Sequence, residues 1–302
     1  MSTTTFTPTA NIPVPNALKP GISTDPLAGE QLHPDTFLMC PPRLYDVNYV
    51  INPWMAGNVH ASSREIAAVQ WQRLYEAVSR IANVILIEPQ SGSPDMVFTA
   101  NAGLERDGVV VLSSFFHPER QAEESHFRRW FQSAGYTILT VPRETPFEGE
   151  GDALFSIDGK RLWAGNGPRT VAASHHYLAT AWNVEVTPLD LIDPRFYHLD
   201  TCFAPLSDGS VMYYPGAFSP NSIRQIEAFY PPHKRIAVSE SDAVRFACNV
   251  VNVGHTLILN QVSAALRSTL VSRGFQVIQL DLSEFLKAGG AAKCLVMKLS
   301  RT

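Results

Sequence analysis

The chain has 302 residues with a formal charge of −4, and 45% of them are apolar, enough to bury a sizeable core in one large or two small domains. No Lys/Arg run supplies the basic face that nucleic-acid binding needs, and the apolar runs VILIE, GVVVL and TLIL fall far short of the ~20 residues of a membrane helix. The N-terminus lacks the positive and apolar regions of a secretory signal. Cys40, Cys202, Cys248 and Cys294 are widely spaced with no C-x-x-C pair, which argues against disulfides and zinc and for a reducing, cytoplasmic setting.

Residues 1–36 are rich in Thr and Pro without apolar periodicity and are expected to form a flexible arm, with the folded domain spanning 37–302. The first helix is expected from Ser62, with Glu65 completing a capping box and Ala67, Trp71, Leu74, Tyr75 and Val78 on one face. VILIE (84–88) follows as a buried strand. A second helix opens at Pro118, turns Phe127, Trp130, Phe131 and Ala134 inward and stops at Gly135. TILTV (137–141) is the next strand, and LFSIDGKRLWAG reads as a hairpin with Asp158-Gly159 at its turn. Later helices are expected from Ser219-Pro220, from Ser239 with Asp242 as its third residue, and near Gln261, the last ending at Gly274. Strands VMYY, TLIL, FQVIQL and CLVMKL lie between or after them. The alternation is α/β, with too many hairpin-paired strands for a doubly wound sheet. No phosphate-binding glycine motif follows a strand, so a nucleotide fold has no support.

Acidic and amide side chains recur where a structural chain would place apolar ones: PDMVFTAN (94–101), HPER (117–120), FEGEGDALF (147–155), GNGPRT (165–170), YHLDT (197–201) and GGAAKCLVMKL (289–299). These six segments, in this order from about Phe37 to the C-terminus, resemble the guanidino-group-modifying family of arginine deiminases, dimethylarginine dimethylaminohydrolases, amidinotransferases and bacterial arginine dihydrolases. With DVNYVINPWM ahead of them, their form is most similar to the dihydrolase-type members. The resemblance implies an α/β fold, a five-bladed α/β propeller (pentein) of ββαβ units around a central site. No cofactor is expected, and no metal, since the H-x-D pair at His198 and Asp200 has no further His or Cys ligands at useful spacing.

The resemblance also implies roles. Cys294 matches the nucleophile that attacks the guanidinium carbon, a poor electrophile for which a thiolate is suited. His198 matches the residue that protonates the departing amine and then deprotonates water. Glu148 matches the carboxylate that orients the site, but the sequence reads E-G-E-G-D where E-G-G-D is commoner, so Glu150 competes for that role. Asp95 and Asp200 match positions that hydrogen-bond the guanidinium nitrogens. Arg120 and Arg169, with Asn52, match the groups that hold an α-carboxylate. Deiminases usually have Asp where this chain has Asn101. An amide can both accept from and donate to a neutral ureido group, which would permit a second hydrolysis, from citrulline to ornithine. The alternative is that Asn101 is a strand residue without substrate contact.

The expected activity is therefore hydrolysis of arginine to ornithine, ammonia and carbon dioxide through a covalent Cys294 thiouronium. Methylarginine hydrolysis, arginine deimination and amidino transfer stand as alternatives, as does a catalytically silent propeller used for binding. A papain-like thiol hydrolase is disfavoured because the chain order is Glu, His, Cys. The expected partner is a small guanidino substrate, arginine or methylarginine, with neither nucleic acid nor membrane involved, and assembly into a homo-oligomer stays open.

Overall fold

A computed structural model describes residues 35–300. The Thr- and Pro-rich segment up to residue 34 lies outside the described residues, and Thr36 already belongs to the first strand.

In chain order the first unit carries β1 (Thr36–Met39), α1 (Arg64–Ser79) and β2 (Asn83–Leu86), and the second carries β3 (Gly103–Arg106), β4 (Val109–Leu112), α2 (Pro118–Ser133) and β5 (Thr137–Thr140). The third has β6 (Ala153–Phe155), β7 (Arg161–Asn166), α3 (His175–Trp182) and β8 (Glu185–Asp190). The fourth has β9 (Phe203–Pro205), β10 (Val211–Tyr213), α4 (Pro220–Phe229) and β11 (Arg235–Ala237). After the short α5 (Glu240–Ala243), the fifth has β12 (Val251–Val253), β13 (Thr256–Asn260), α6 (Ala264–Ser272) and β14 (Gln276–Leu280). The short α7 (Ser283–Leu286) and β15 (Met297–Leu299) follow.

The strands form five three-stranded sheets of one design. A first strand pairs antiparallel with a middle strand, which pairs parallel with a third. The parallel step requires a crossover, and a helix makes it in every unit. The fifteenth strand supplies the first strand of the first sheet, pairing Leu38 with Met297, so both ends of the described chain close one ring. The architecture is a five-bladed propeller of ββαβ units.

Apolar side chains of the sheets and helices fill the spaces between neighbouring blades, as where Trp163 of β7 packs on Phe203 of β9 and Tyr230 beyond α4. Local deviations from the sequence reading have physical causes. Ser63, not Ser62, caps α1 by accepting from the Ile66 N–H, because the Ser62 hydroxyl is bound to Asp46. VILIE is the outer edge of its sheet, with Ile85 42% exposed, and not a buried strand. The last crossover helix is capped by Ser263 and starts at Ala264. The strand expected over CLVMKL begins only at Met297, and Cys294 stands in the turn before it.

Candidate active site

The first strand of each blade is preceded by a tight turn, and these turns carry polar side chains. Thr99–Ala102 presents Asn101 ahead of β3, Gly149–Gly151 leads to Asp152 ahead of β6, and Leu199–Thr201 carries Asp200 ahead of β9. Cys294 occupies the same place ahead of β15. The ring geometry thus gathers residues from different motifs without any two being neighbours in sequence.

Glu148 is fully buried at the centre of a hydrogen-bonded set. Its Oε2 accepts from Arg169 Nη1 at 2.9 Å and lies 2.7 Å from His198 Nε2, while its Oε1 accepts from the Phe116 N–H. Burial opposes its ionisation, yet the Arg169 guanidinium and the His198 hydrogen bond hold its carboxyl well below the usual carboxylate range. Glu150 points elsewhere, to an ion pair with Lys293 and to the Lys298 N–H. The two glutamates that compete in the sequence thus face different partners. Both glycines of the intervening turn are sterically required. A Cβ on Gly149, at φ +64°, would stand 2.7 Å from the carbonyl oxygens of Ala100 and Gly103, and one on Gly151 would stand 2.3 Å from Asn101 Nδ2 and 3.3 Å from His198 Nδ1.

Cys294 is 2% exposed. Its Sγ lies 3.5 Å from Asp200 Oδ2 and 3.1 Å from Asn249 Nδ2. Burial, and then the Asp200 charge, push the thiol well above its usual range. Burial likewise pushes Asp200 up to about 6, against the opposing pull of His198 and Lys293. Burial raises the Asp95 carboxyl too, and the nearby Arg120 opposes it. Asp95 Oδ2 accepts from the Tyr49 hydroxyl at 2.9 Å. The Oδ1 atoms of Asp95 and Asp200 are both buried with no hydrogen-bond partner among the described residues.

A narrow pocket is lined by Asp95, Asn101, Arg120, Arg169, Asn52 and Cys294, among others. Arg120 is held by both oxygens of Glu123, at 2.9 and 2.8 Å, and donates to Asn101 Oδ1 at 2.9 Å and to the Asp95 carbonyl. Arg169 donates to Glu148 and to the Ile51 carbonyl and stacks over Tyr197, which leaves it more free N–H donors than Arg120 has. Asn101 uses one N–H on the Glu148 carbonyl oxygen and one lone pair on Arg120, so its amide has a donor and an acceptor to spare. Asn52 is a cap: its Oδ1 accepts from the Trp54 and Met55 N–H groups and its Nδ2 donates to the Ala288 carbonyl.

Sequence reasoning did not find Tyr49, Glu123, Asp152 or Asn249. Asp152 was within reach, since it closes the E-G-E-G-D segment, and it anchors the His198 turn by accepting from the Leu199 N–H. Among the described residues no group of three or more His, Cys, Asp or Glu side chains is arranged to hold a metal ion, and no helix is long and apolar enough to cross a membrane.

A family model described as N,N dimethylarginine dimethylhydrolase, eukaryotic, matches residues 48–301. The bifunctional arginine dihydrolase/ornithine cyclodeaminase AgrE of Nostoc sp. is 56% identical over 264 residues, covering 87% of this chain and 38% of that protein. The N(G),N(G)-dimethylarginine dimethylaminohydrolase of Mycobacterium tuberculosis is 38% identical over 264 residues, covering 87% and 85%. The chain thus spans about two-fifths of the length of the bifunctional relatives it matches. Among solved structures, the N-terminal domain of ArgZ, an arginine dihydrolase from the ornithine-ammonia cycle in cyanobacteria, is 55% identical with a TM-score of 0.87, covering 88% of this chain and 97% of that one, and was solved bound to product. The same domain was solved with an asparagine replaced by serine and covalently bonded to a reaction intermediate, and with a cysteine replaced by serine and bound to substrate.

Proposed function

The chain belongs to the N,N-dimethylarginine dimethylaminohydrolase family, and from that premise we propose that it is a hydrolase of the guanidino group of L-arginine, carrying the substrate through to ornithine, two ammonia and carbon dioxide. The observation that carries the reading is the pairing of a buried cysteine with two buried carboxylates, Asp95 and Asp200, each with one oxygen engaged and one free. A planar cation with N–H groups on several edges is the ligand such free oxygens suit.

Cys294 Sγ attacks the central guanidinium carbon. The thiol is held protonated by burial and by Asp200, so the substrate's positive charge is what makes the thiolate accessible, the thiol proton passing to solvent as the cation binds. His198, oriented by the ionised Glu148, gives a proton to the departing nitrogen, and ammonia leaves a thiouronium on Cys294. His198 then takes a proton from water, whose oxygen adds to the same carbon. The C–S bond breaks, citrulline forms and the thiolate returns. In the second round the thiolate adds to the ureido carbon, the second ammonia leaves, and water releases a carbamate that loses carbon dioxide to give ornithine. The spare donor and acceptor of Asn101 are its part in that round: they fit the neutral ureido group, which two carboxylates alone hold poorly. Arg169 and Arg120, which line the same pocket, receive the α-carboxylate.

Two further observations support the reading. The asparagine and cysteine replaced in the structures of the ArgZ domain are separated by the same number of residues as Asn101 and Cys294. Relatives 55–56% identical are named bifunctional arginine dihydrolase/ornithine cyclodeaminases. Methylarginine hydrolysis is the second reading, favoured by the name of the matching family model. A cytoplasmic setting belongs to the proposal, since all four cysteines are free and Cys294 must stay reduced.

The test is product analysis after incubation with L-arginine, beside Cys294→Ala and Asn101→Asp. Ornithine with two equivalents of ammonia, absent with Cys294→Ala and replaced by citrulline with Asn101→Asp, is the expected result. Citrulline from the unaltered protein would sink the dihydrolase reading. Turnover of dimethylarginine alone, releasing dimethylamine, would establish the second one.

A further inference from the structure

The turns ahead of β3, β6, β9 and β15 deliver Asn101, Asp152, Asp200 and Cys294 to the ring centre. The fifth turn, ahead of β12, carries Asn249, which is completely buried. Its side-chain amide grips the cysteine at two points. Oδ1 accepts from the Cys294 backbone N–H at 3.1 Å, and Nδ2 lies 3.1 Å from Cys294 Sγ while also donating to the Asp200 carbonyl at 3.3 Å. One planar group therefore fixes the cysteine's backbone and the position of its sulfur together.

The surroundings say why an amide stands here. Facing the sulfur are Asp200 Oδ2 at 3.5 Å, the buried Tyr197 beside His198, and the Ala291 N–H, while the neighbouring Lys293 is committed to Glu150. A thiolate needs stabilisation, but a Lys or Arg at this point would repel the cation the sulfur must attack. A neutral N–H dipole stabilises the anion without that penalty.

We propose that Asn249 is a catalytic residue of this site, aiming Cys294 Sγ and donating a hydrogen bond to its thiolate in each addition and release. The proposal rests on Cys294 being the nucleophile. Asn249→Ala removes both contacts. Asn249→Asp keeps the acceptor for the Cys294 N–H and replaces the donor with an anion.

The experiment follows the rate of Cys294 alkylation by iodoacetamide against pH, mapped by mass spectrometry, in the unaltered protein and both variants, with kcat and KM for L-arginine and thermal melts alongside. Asn249→Ala should move the alkylation midpoint upward and lower kcat about 10- to 100-fold, the effect of one hydrogen bond to a charged group. KM should stay within about threefold, since the contact is to the nucleophile and not to bound substrate. Asn249→Asp should move the midpoint further than alanine does, and it decides alone if the alanine variant loses its cooperative melt. Midpoints within about 0.3 pH unit and kcat within about twofold of the unaltered protein in folded variants would overturn the role of Asn249. Activity that survives complete alkylation of Cys294 would instead overturn the nucleophile reading, and the proposal with it.

Discussion

Arg169→Met tests the electrostatic logic of the centre. The substitution keeps most of the aliphatic stem but removes the guanidinium that lies 2.9 Å from Glu148 Oε2 and donates to the Ile51 carbonyl. Glu148 has no exposure to water through which to recover, so breaking the pair should cost roughly 3–5 kcal/mol. At about 2–4 °C per kcal/mol for a domain of this size, the melting temperature at pH 7 should fall by roughly 6–20 °C. The pH dependence carries the sign. In the unaltered protein the Glu148 carboxyl lies below its ordinary value of 4.5, so its stabilisation is complete above that pH and is lost only as pH falls further. Without Arg169, burial dominates and pushes the carboxyl up, so ionised Glu148 becomes a liability at neutral pH that protonation relieves. The deficit should therefore narrow as pH falls from 7 toward 4.5, and adding Glu148→Gln should recover much of it. Melts of the two single variants and the double variant between pH 4.5 and 8 are the assay. A deficit under about 1 kcal/mol, or one that does not change with pH, would refute the reasoning.

Gly151→Ala would place a methyl group 2.3 Å from Asn101 Nδ2 and against the His198 ring, so activity should fall by about 100-fold or more for an overpacking cost of about 1–3 kcal/mol, read from kcat beside a thermal melt. Asp200, pushed up to about 6 by burial, should give kcat/KM an acidic limb near that pH, because protonation removes the charge that receives the guanidinium. A kcat/KM that stays level from pH 8 down to 5 would count against Asp200 as a ligand. Glu150→Gln disturbs the Lys293 pair and not the Glu148 set, so kcat should drop far less than with Glu148→Gln, and equal losses would return Glu150 to contention.

Much of the fold was legible because its punctuation is local. Pro118, the Ser219-Pro220 cap and Ser239 mark helix starts through chemistry confined to a few residues. The five-fold repeat was not legible. Blades repeat a backbone path, while their turns carry FTAN, EGEGD, HLDT, CNV and KCL, sequences with almost nothing in common. For the same reason Asn249 escaped notice: beside Cys248 and ahead of VVNV it reads as the entry to an apolar strand. Glu148 and Glu150 differ only in which way a turn points them, and that depends on Gly149 adopting a positive φ. Asn52, expected at the substrate's carboxylate, lines the same pocket; its Oδ1 caps the turn at Pro53–Met55 and its Nδ2 keeps one N–H beyond the Ala288 contact.

The origin of β15 has a consequence for the order in which activity can arise during synthesis. Glu148, Asp152, His198 and Asn249 leave the ribosome before Cys294 and before the strand that pairs with β1. A nascent chain can hold the carboxylates and the imidazole while lacking both the sulfur and the last stave of the ring. The proposed nucleophile thus arrives with the segment that closes the ring, three residues ahead of the strand that pairs with β1.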